Sequence, residues 1–276
     1  MSPFPNFSFE RKCRLIFLIV LAEFLMFILS GVSLSFLNGD TFFRIGVDPV
    51  FWFFYLLNIP QFIVSHHWMG ITLDALIVLL LVLFARNPQQ HKLAAALFLL
   101  MLCFYVTLTG YLSHRNYQIG FVLVFIPFIF KRKTNRYFAY EAVRYFLLFF
   151  YFSSAIFKLT GNIGNKSTLS SFLTGQFTPY FLENNTGWRT DLNLYLIHHQ
   201  NISYVLFLAG MLIELSAAAG FFTKKFDKYL ALLLILFHAG NWILMDISII
   251  GQIAFITLLF LSRHSHKASK QWGEQL

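Results

Sequence analysis

Charge is what this sequence lacks most. Asp, Glu, Lys and Arg make up 12% of its 276 residues, about half of what a soluble domain carries. So little polar surface cannot cover a globule in water, which excludes a soluble enzyme and a disordered tail. Cysteine is scarce as well. Cys13 and Cys103 lie in or beside apolar segments at different expected depths, so there is neither a disulfide framework nor a metal-type Cys spacing. No internal repeat of about 20–50 residues is present, which excludes solenoids and propellers.

What the chain has instead is apolar. Hydrophobic residues reach 58%, with 36 Phe and a mean hydropathy of +0.65. A membrane span takes roughly 20 apolar residues, and eight such segments can be cut: 15–37, 69–85, 93–111, 117–130, 138–160, 203–223, 229–245 and 247–262. The fourth and eighth are the shortest. The stretch 41–57 is apolar and aromatic but carries Arg44, Asp48 and Pro49, so it reads as an interfacial helix rather than a span. Arg11, Lys12 and Arg14 precede the first apolar run, which lacks a small-residue cleavage site and reads as a retained span.

The net charge of +9 marks membrane orientation rather than nucleic acid, and no nucleic-acid partner is expected. With the N-terminus inside, 15 of the 21 Lys and Arg fall in inside segments and 4 outside, with Arg144 and Lys158 within a span. Cytoplasmic loops carry such an excess. The expectation is an all-α, polytopic integral membrane helical bundle of eight spans. It forms a single transmembrane domain over 1–276 with both ends inside, in a bacterial inner or plasma membrane. Loop 161–202 is then the one long outside loop, polar, rich in turn residues and able to hold short interfacial helices.

Ionisable side chains inside spans are costly, and each is a functional-site hypothesis. Arg144, Tyr151 and Lys158 are spaced by seven, and Ser154 precedes Lys158 by four. All four therefore share one helical stripe, with Arg144 and Lys158 roughly 21 Å apart by helical rise. Both cations have an ordinary alternative, snorkelling to the headgroups. If Lys158 instead sits in a water-poor pocket, its amine becomes a usable base. A second cluster is FHAGNWILMD, 237–246, where His238 and Asn241 share a helix face and Asp246 follows in a turn. A third is SHRNY, 113–117, a turn carrying His114. A buried structural histidine and a plain polar turn are the competing readings. Glu23, Asp74 and Glu214 are single acids in apolar surroundings, and Glu214 could neutralise a buried cation. His66-His67 and His198-His199 are adjacent pairs that point apart on most backbones, so no metal is expected. The topology brings His114, Lys158, Asn241 and Asp246 to similar depth, with His238 about two turns deeper. Such a set fits chemistry on an amphipathic substrate entering from the outer leaflet.

The stretch R-x6-Y-F-x5-K-L (Arg144, Tyr151, Phe152, Lys158, Leu159) resembles vitamin K-dependent γ-glutamyl carboxylase. More broadly it resembles the bacterial HTTM family, which shares that enzyme's transmembrane part. E-L-S-A (214–217), F-H-x-x-N (237–241) and the turn S-H-R-N-Y fall in the same order, and the likeness covers residues 100–262. The resemblance implies that Lys158 is a base that deprotonates a reduced, vitamin K-like quinone, the first step of a lyase-class carboxylation. It also implies that His114 serves the carboxylation half. On the combined reading, Lys158 and His114 are the catalytic pair. Arg144, Tyr151, Ser154, His238, Asn241 and Asp246 bind, align or polarise the substrate. Two departures stand out. The carboxylase has a large lumenal β-rich region for its peptide substrates, whereas this chain ends just after the last apolar segment. It also has further glycine after F-H-x-x-N where this sequence has Ile247-Ser248. Peptide carboxylation is therefore less expected than action on a quinol or another lipid-phase substrate. Some bacterial relatives are associated with maturation or export of secreted peptides, so a non-catalytic membrane partner is the alternative. A small transporter would show paired discontinuous helices and an inverted repeat, and neither is evident.

Overall fold

A computed structural model describes residues 9–37, 49–111, 119–161, 164–182, 187–245 and 252–261, and every regular element among them is helical. In chain order the α-helices are α1 (Phe9–Leu29), α2 (Pro49–Leu56), α3 (Ile59–Ser65), α4 (His67–Arg86), α5 (His91–Tyr111), α6 (Ile119–Leu123) and α7 (Ile126–Ile129). They continue with α8 (Lys133–Gly161), α9 (Thr168–Leu182), α10 (Trp188–His198), α11 (Gln200–Ser216), α12 (Ala218–Phe222), α13 (Asp227–Met245) and α14 (Gln252–Ile256). A 3-10 turn covers Leu34–Phe36 and a π turn Thr257–Leu261.

Six of the helical stretches are long and apolar enough to cross a membrane: Cys13–Phe36, His67–Arg86, His91–Tyr111, Thr134–Gly161, Gln200–Phe222 and Asp227–Met245. They mark a multi-pass membrane protein, because only helices satisfy their own backbone polar groups in hydrocarbon. The two shortest expected spans take another form. Segment 117–130 contains α6 and α7, two short helices broken just before Pro127, a residue with no N–H to continue the ladder. Segment 247–262 shows α14 followed by the π turn. The expected interfacial stretch holds α2, which runs nearly into α3. Asn58, between them, is the one non-glycine residue with positive φ among those described (56°).

The chain divides into two compact units, residues 1–143 with 250–276, and residues 144–249, the boundary falling inside α8. The first unit spends many of its phenylalanines on one core. Phe17 packs against Phe84, Phe125 and Phe128, and Phe24 against Phe104 and Phe121. Helix α4 comes close to the 3-10 turn at Gly70, where a Cβ would collide with the Leu34 carbonyl. One turn on, buried Asp74 accepts the Ser35 N–H at 2.9 Å. The Tyr140 hydroxyl donates to the Leu259 carbonyl (2.7 Å) and touches that of Leu258. A π turn loosens the helical ladder and leaves such carbonyls in need of donors.

In the second unit, the polar loop expected over 161–202 is largely helical. Leu169, Leu173 and Phe177 recur every four residues on α9 and pack with Leu196 of α10. That stripe gives the segment a core of its own, with Phe207, Leu244 and Met245 against it.

Candidate functional site

The second unit's portion of α8, from Arg144 to Gly161, carries the expected polar stripe, and each member meets a different helix. At its start the Arg144 guanidinium is 1% exposed and ion-paired with Asp227 at the head of α13 (Nη2 to Oδ1 2.6 Å, Nε to Oδ2 3.3 Å). The same Nη2 donates to the Gly220 carbonyl at 3.1 Å. The fork of Arg suits two acceptors at once. Gly220 lets the chain come this close: a Cβ there would lie 2.6 Å from Leu148 Cδ2. Arg144 is thus sealed inside protein rather than snorkelling.

Two turns further on, the buried Tyr151 hydroxyl meets His238 Nε2 on α13 at 2.5 Å. The tyrosine ring also lies edge-on to Phe237 and His238. At the last turn of α8, Lys158 Nζ donates to Glu214 Oε2 on α11 at 2.5 Å, and Ser154 Oγ donates to the other oxygen, Oε1, at 3.1 Å. Lys158 Nζ also stands 5.7 Å from the centre of the Phe237 ring. These contacts fix the local directions. Asp227 and then His238 climb in step with Arg144 and Tyr151, so α13 runs parallel to this stretch of α8. Gly220 lies at the Arg144 end and Glu214 at the Lys158 end, so α11 runs antiparallel to it.

The two ion pairs differ in which partner is covered. Arg144 is buried and Asp227 is 13% exposed, whereas Glu214 is 4% exposed and Lys158 is 29% exposed. The pair at Lys158 therefore presents an amine at the edge of an apolar setting, backed by a carboxylate whose two oxygens are both held. The sequence left two readings of this amine, snorkelling to the headgroups or a base in a water-poor pocket, with Glu214 free to neutralise some buried cation. The amine is ion-paired because Glu214, sixty residues from Ser154 in sequence, arrives on the antiparallel helix.

Of the other expected residues, Asn241 is half-buried one turn beyond His238 and has no hydrogen-bond partner among the described residues. His114 and Asp246 lie outside the described residues. The doubled histidines serve locally: His66 Nδ1 meets the Phe62 carbonyl, and His199 Nδ1 meets that of Tyr195, on whose ring it stacks. Among the described residues no three His, Cys, Asp or Glu side chains gather as they would around a metal ion. Two partners escaped sequence reasoning, Asp227 and the Gly220 carbonyl. Asp227 sits among Lys224, Lys225 and Lys228, where it reads as one charge in a basic loop. The signal was that it lies at the inner end of the seventh expected span, on the same side of the membrane as Arg144.

Comparison with family models, with curated proteins and with solved structures finds no match to this chain.

Proposed function

We propose that this membrane protein is an enzyme in which Lys158 removes a proton from a hydroxyl-bearing amphipathic substrate, a quinol in the first instance, at the outer leaflet. The reading rests on the resemblance in motif order to the vitamin K-dependent carboxylase and the HTTM family, and on one observation above others. Lys158 is partly exposed while its partner Glu214 is buried and doubly hydrogen-bonded. The topology that goes with it has eight spans, both ends inside and loop 161–202 outside, as the 15-to-4 distribution of basic residues favours.

The polar groups suit such a substrate. Lys158 offers polar hydrogens, the Ser154 oxygen can accept one while its own hydrogen holds Glu214, His238 has a ring nitrogen engaged by Tyr151, and Asn241 supplies an amide one turn on. The Phe237 ring under Nζ gives an aromatic substrate a flat neighbour. The step starts from the pair as ammonium and carboxylate. Transfer of a proton from Nζ to Glu214 Oε2 leaves a neutral amine, which then takes the substrate's hydroxyl proton, so that the pair has gained one proton and the substrate has lost it. Ser154, bonded to Oε1, holds the carboxylate in line during the exchange. On the resemblance, His114 would serve a second, carboxylating half-reaction and Asp246 would bind substrate; both lie outside the described residues.

The test is Lys158→Arg in native membranes. Arginine keeps the charge and the ion pair with Glu214 but stays protonated throughout the usable pH range. Quinol consumption or epoxide formation is expected from the wild type and lost in the variant, with expression unchanged. Full activity in the variant would remove the base role. No turnover of any quinol by the wild type would move the assignment to a non-catalytic partner in maturation or export of a secreted peptide.

A further inference from the structure

The first unit holds a buried acid that the proposed chemistry does not use. Asp74 lies on α4, roughly 10 Å along the helix from its first residue by helical rise, and is 3% exposed. Its Oδ2 accepts the Ser35 N–H. Its Oδ1 is buried and has no hydrogen-bond partner among the described residues, and no Lys or Arg among them pairs with it. An intramembrane carboxylate with one oxygen unmet is expensive and marks a site by default.

That carboxylate lines a cavity of about 520 Å³, together with Ser35, Ile28, Ile71, Val78 and Leu79. Small-molecule sites have this size and this make-up, an apolar wall with a few placed polar groups. The α4 residues recur at helical spacing and extend the wall away from Asp74 along one face. Ile71 and Leu79 are 48% and 55% exposed, so on a spanning helix the cavity opens sideways, toward hydrocarbon. Its polar end has few donors to spare: the hydroxyls of Ser33 and Ser35 share one hydrogen between them, their remaining hydrogen faces the carboxylate, and the Ser35 N–H is spent on Oδ2.

We propose that Asp74 and Ser35 form the polar end of a groove on α1 and α4 that takes a single-chain amphipath from the lipid phase, with a headgroup that donates a hydrogen bond to Asp74. The tail lies along Ile71, Val78 and Leu79. The donor is a hydroxyl or an ammonium; both answer the same unmet oxygen. A headgroup that only accepts leaves Oδ1 unmet and is the weaker ligand. This groove is independent of the chemistry proposed at Lys158.

The experiment uses the full chain in lipid nanodiscs and three diazirine-bearing probes with the same decyl chain: an alcohol, a primary amine and the methyl ether of the alcohol. Saturable photolabelling is mapped by mass spectrometry. The alcohol, the amine or both should label residues of α1 and α4 around Ile28 and 71–82, at about tenfold lower concentration than the ether. Which of the two wins identifies the headgroup. Asp74→Asn turns a donor toward the groove in place of an acceptor, and should erase the preference over the ether. Ala75 also lines the groove; Ala75→Leu narrows it without replacing the carboxylate, and should reduce all labelling there. Equal labelling by the ether and both donors in the wild type would overturn the proposal, as would saturable labelling confined to other helices. The wild-type comparison stands even where a variant does not fold.

Discussion

Two ion pairs hang from one helix, and they are built in opposite senses. At Arg144 the cation is buried and its acid leans outward; at Lys158 the acid is buried and the cation leans outward. The first gives the guanidinium three bonds, to both oxygens of Asp227 and to the Gly220 carbonyl. A cation so enclosed, 1% exposed, ties α8 to α12 and α13. The second gives its bonds to the carboxylate instead, from Ser154 and Lys158, and leaves part of the amine accessible. Equal charge and equal spacing along the stripe thus serve unlike ends: one pair fastens the helices, the other presents a reactive group.

Breaking the sealed pair should have the largest effect. Asp227→Ala strands a buried guanidinium and is expected to cost about 3–5 kcal/mol. Thermal unfolding in detergent would show a large drop, or the protein would fail to accumulate. Arg144→Met combined with Asp227→Leu removes both charges and should recover most of that loss. A cost under about 1 kcal/mol for Asp227→Ala alone would mean the pair is not sealed.

Next comes the close approach that seals it. Gly220→Ala puts a methyl 2.6 Å from Leu148 Cδ2 and 3.1 Å from Leu230 Cδ1, an overpacking worth about 1–3 kcal/mol. Leu148→Ala in the same chain should relieve the clash while adding a small cavity of its own. If Gly220→Ala alone leaves the melting temperature unmoved, the helices are not held by this contact.

At the open pair the stability effects should be the smallest. Ser154→Ala removes one hydrogen bond from Glu214, worth about 0.6 kcal/mol between membrane helices. Melting should barely change, while turnover should fall because the carboxylate loses its alignment. Tyr151→Phe removes the hydroxyl that holds His238 and should behave alike, about 1 kcal/mol in stability. Turnover that follows melting temperature across both variants would make this pair structural, like its neighbour.

Much of this arrangement is legible in the sequence, for separable reasons. Apolar runs of about 20 residues announce long helices whatever their tertiary partners, and the seven-residue spacing of Arg144, Tyr151 and Lys158 follows from helical geometry alone. The partners are another matter. Glu214 was visible as an acid in an apolar segment, but only the antiparallel packing of α11 says which cation it meets. Asp227 hid in a run of lysines. Segment 161–202 shows local preference overridden: Gly164-Asn165 does make a turn, yet Leu169, Leu173 and Phe177 at four-residue spacing, packed with Leu196, make two helices of the segment. The periodicity was there to be read. Segment 117–130 fails as one long helix because Pro127 interrupts the ladder, a local rule that the count of apolar residues ignores.

The most direct measurement is acylation of the intact protein by a membrane-permeant amine reagent, with sites read by mass spectrometry and turnover followed in parallel. Acylation needs the unprotonated amine, the same form that a base needs. Lys166, exposed on the segment after α8, reports ordinary surface reactivity. The account predicts that Lys158 is modified, and that quinol turnover falls in proportion to modification at Lys158 and not at Lys166. A Lys158 that stays unmodified while Lys166 is fully acylated would contradict it, as would full turnover with Lys158 blocked.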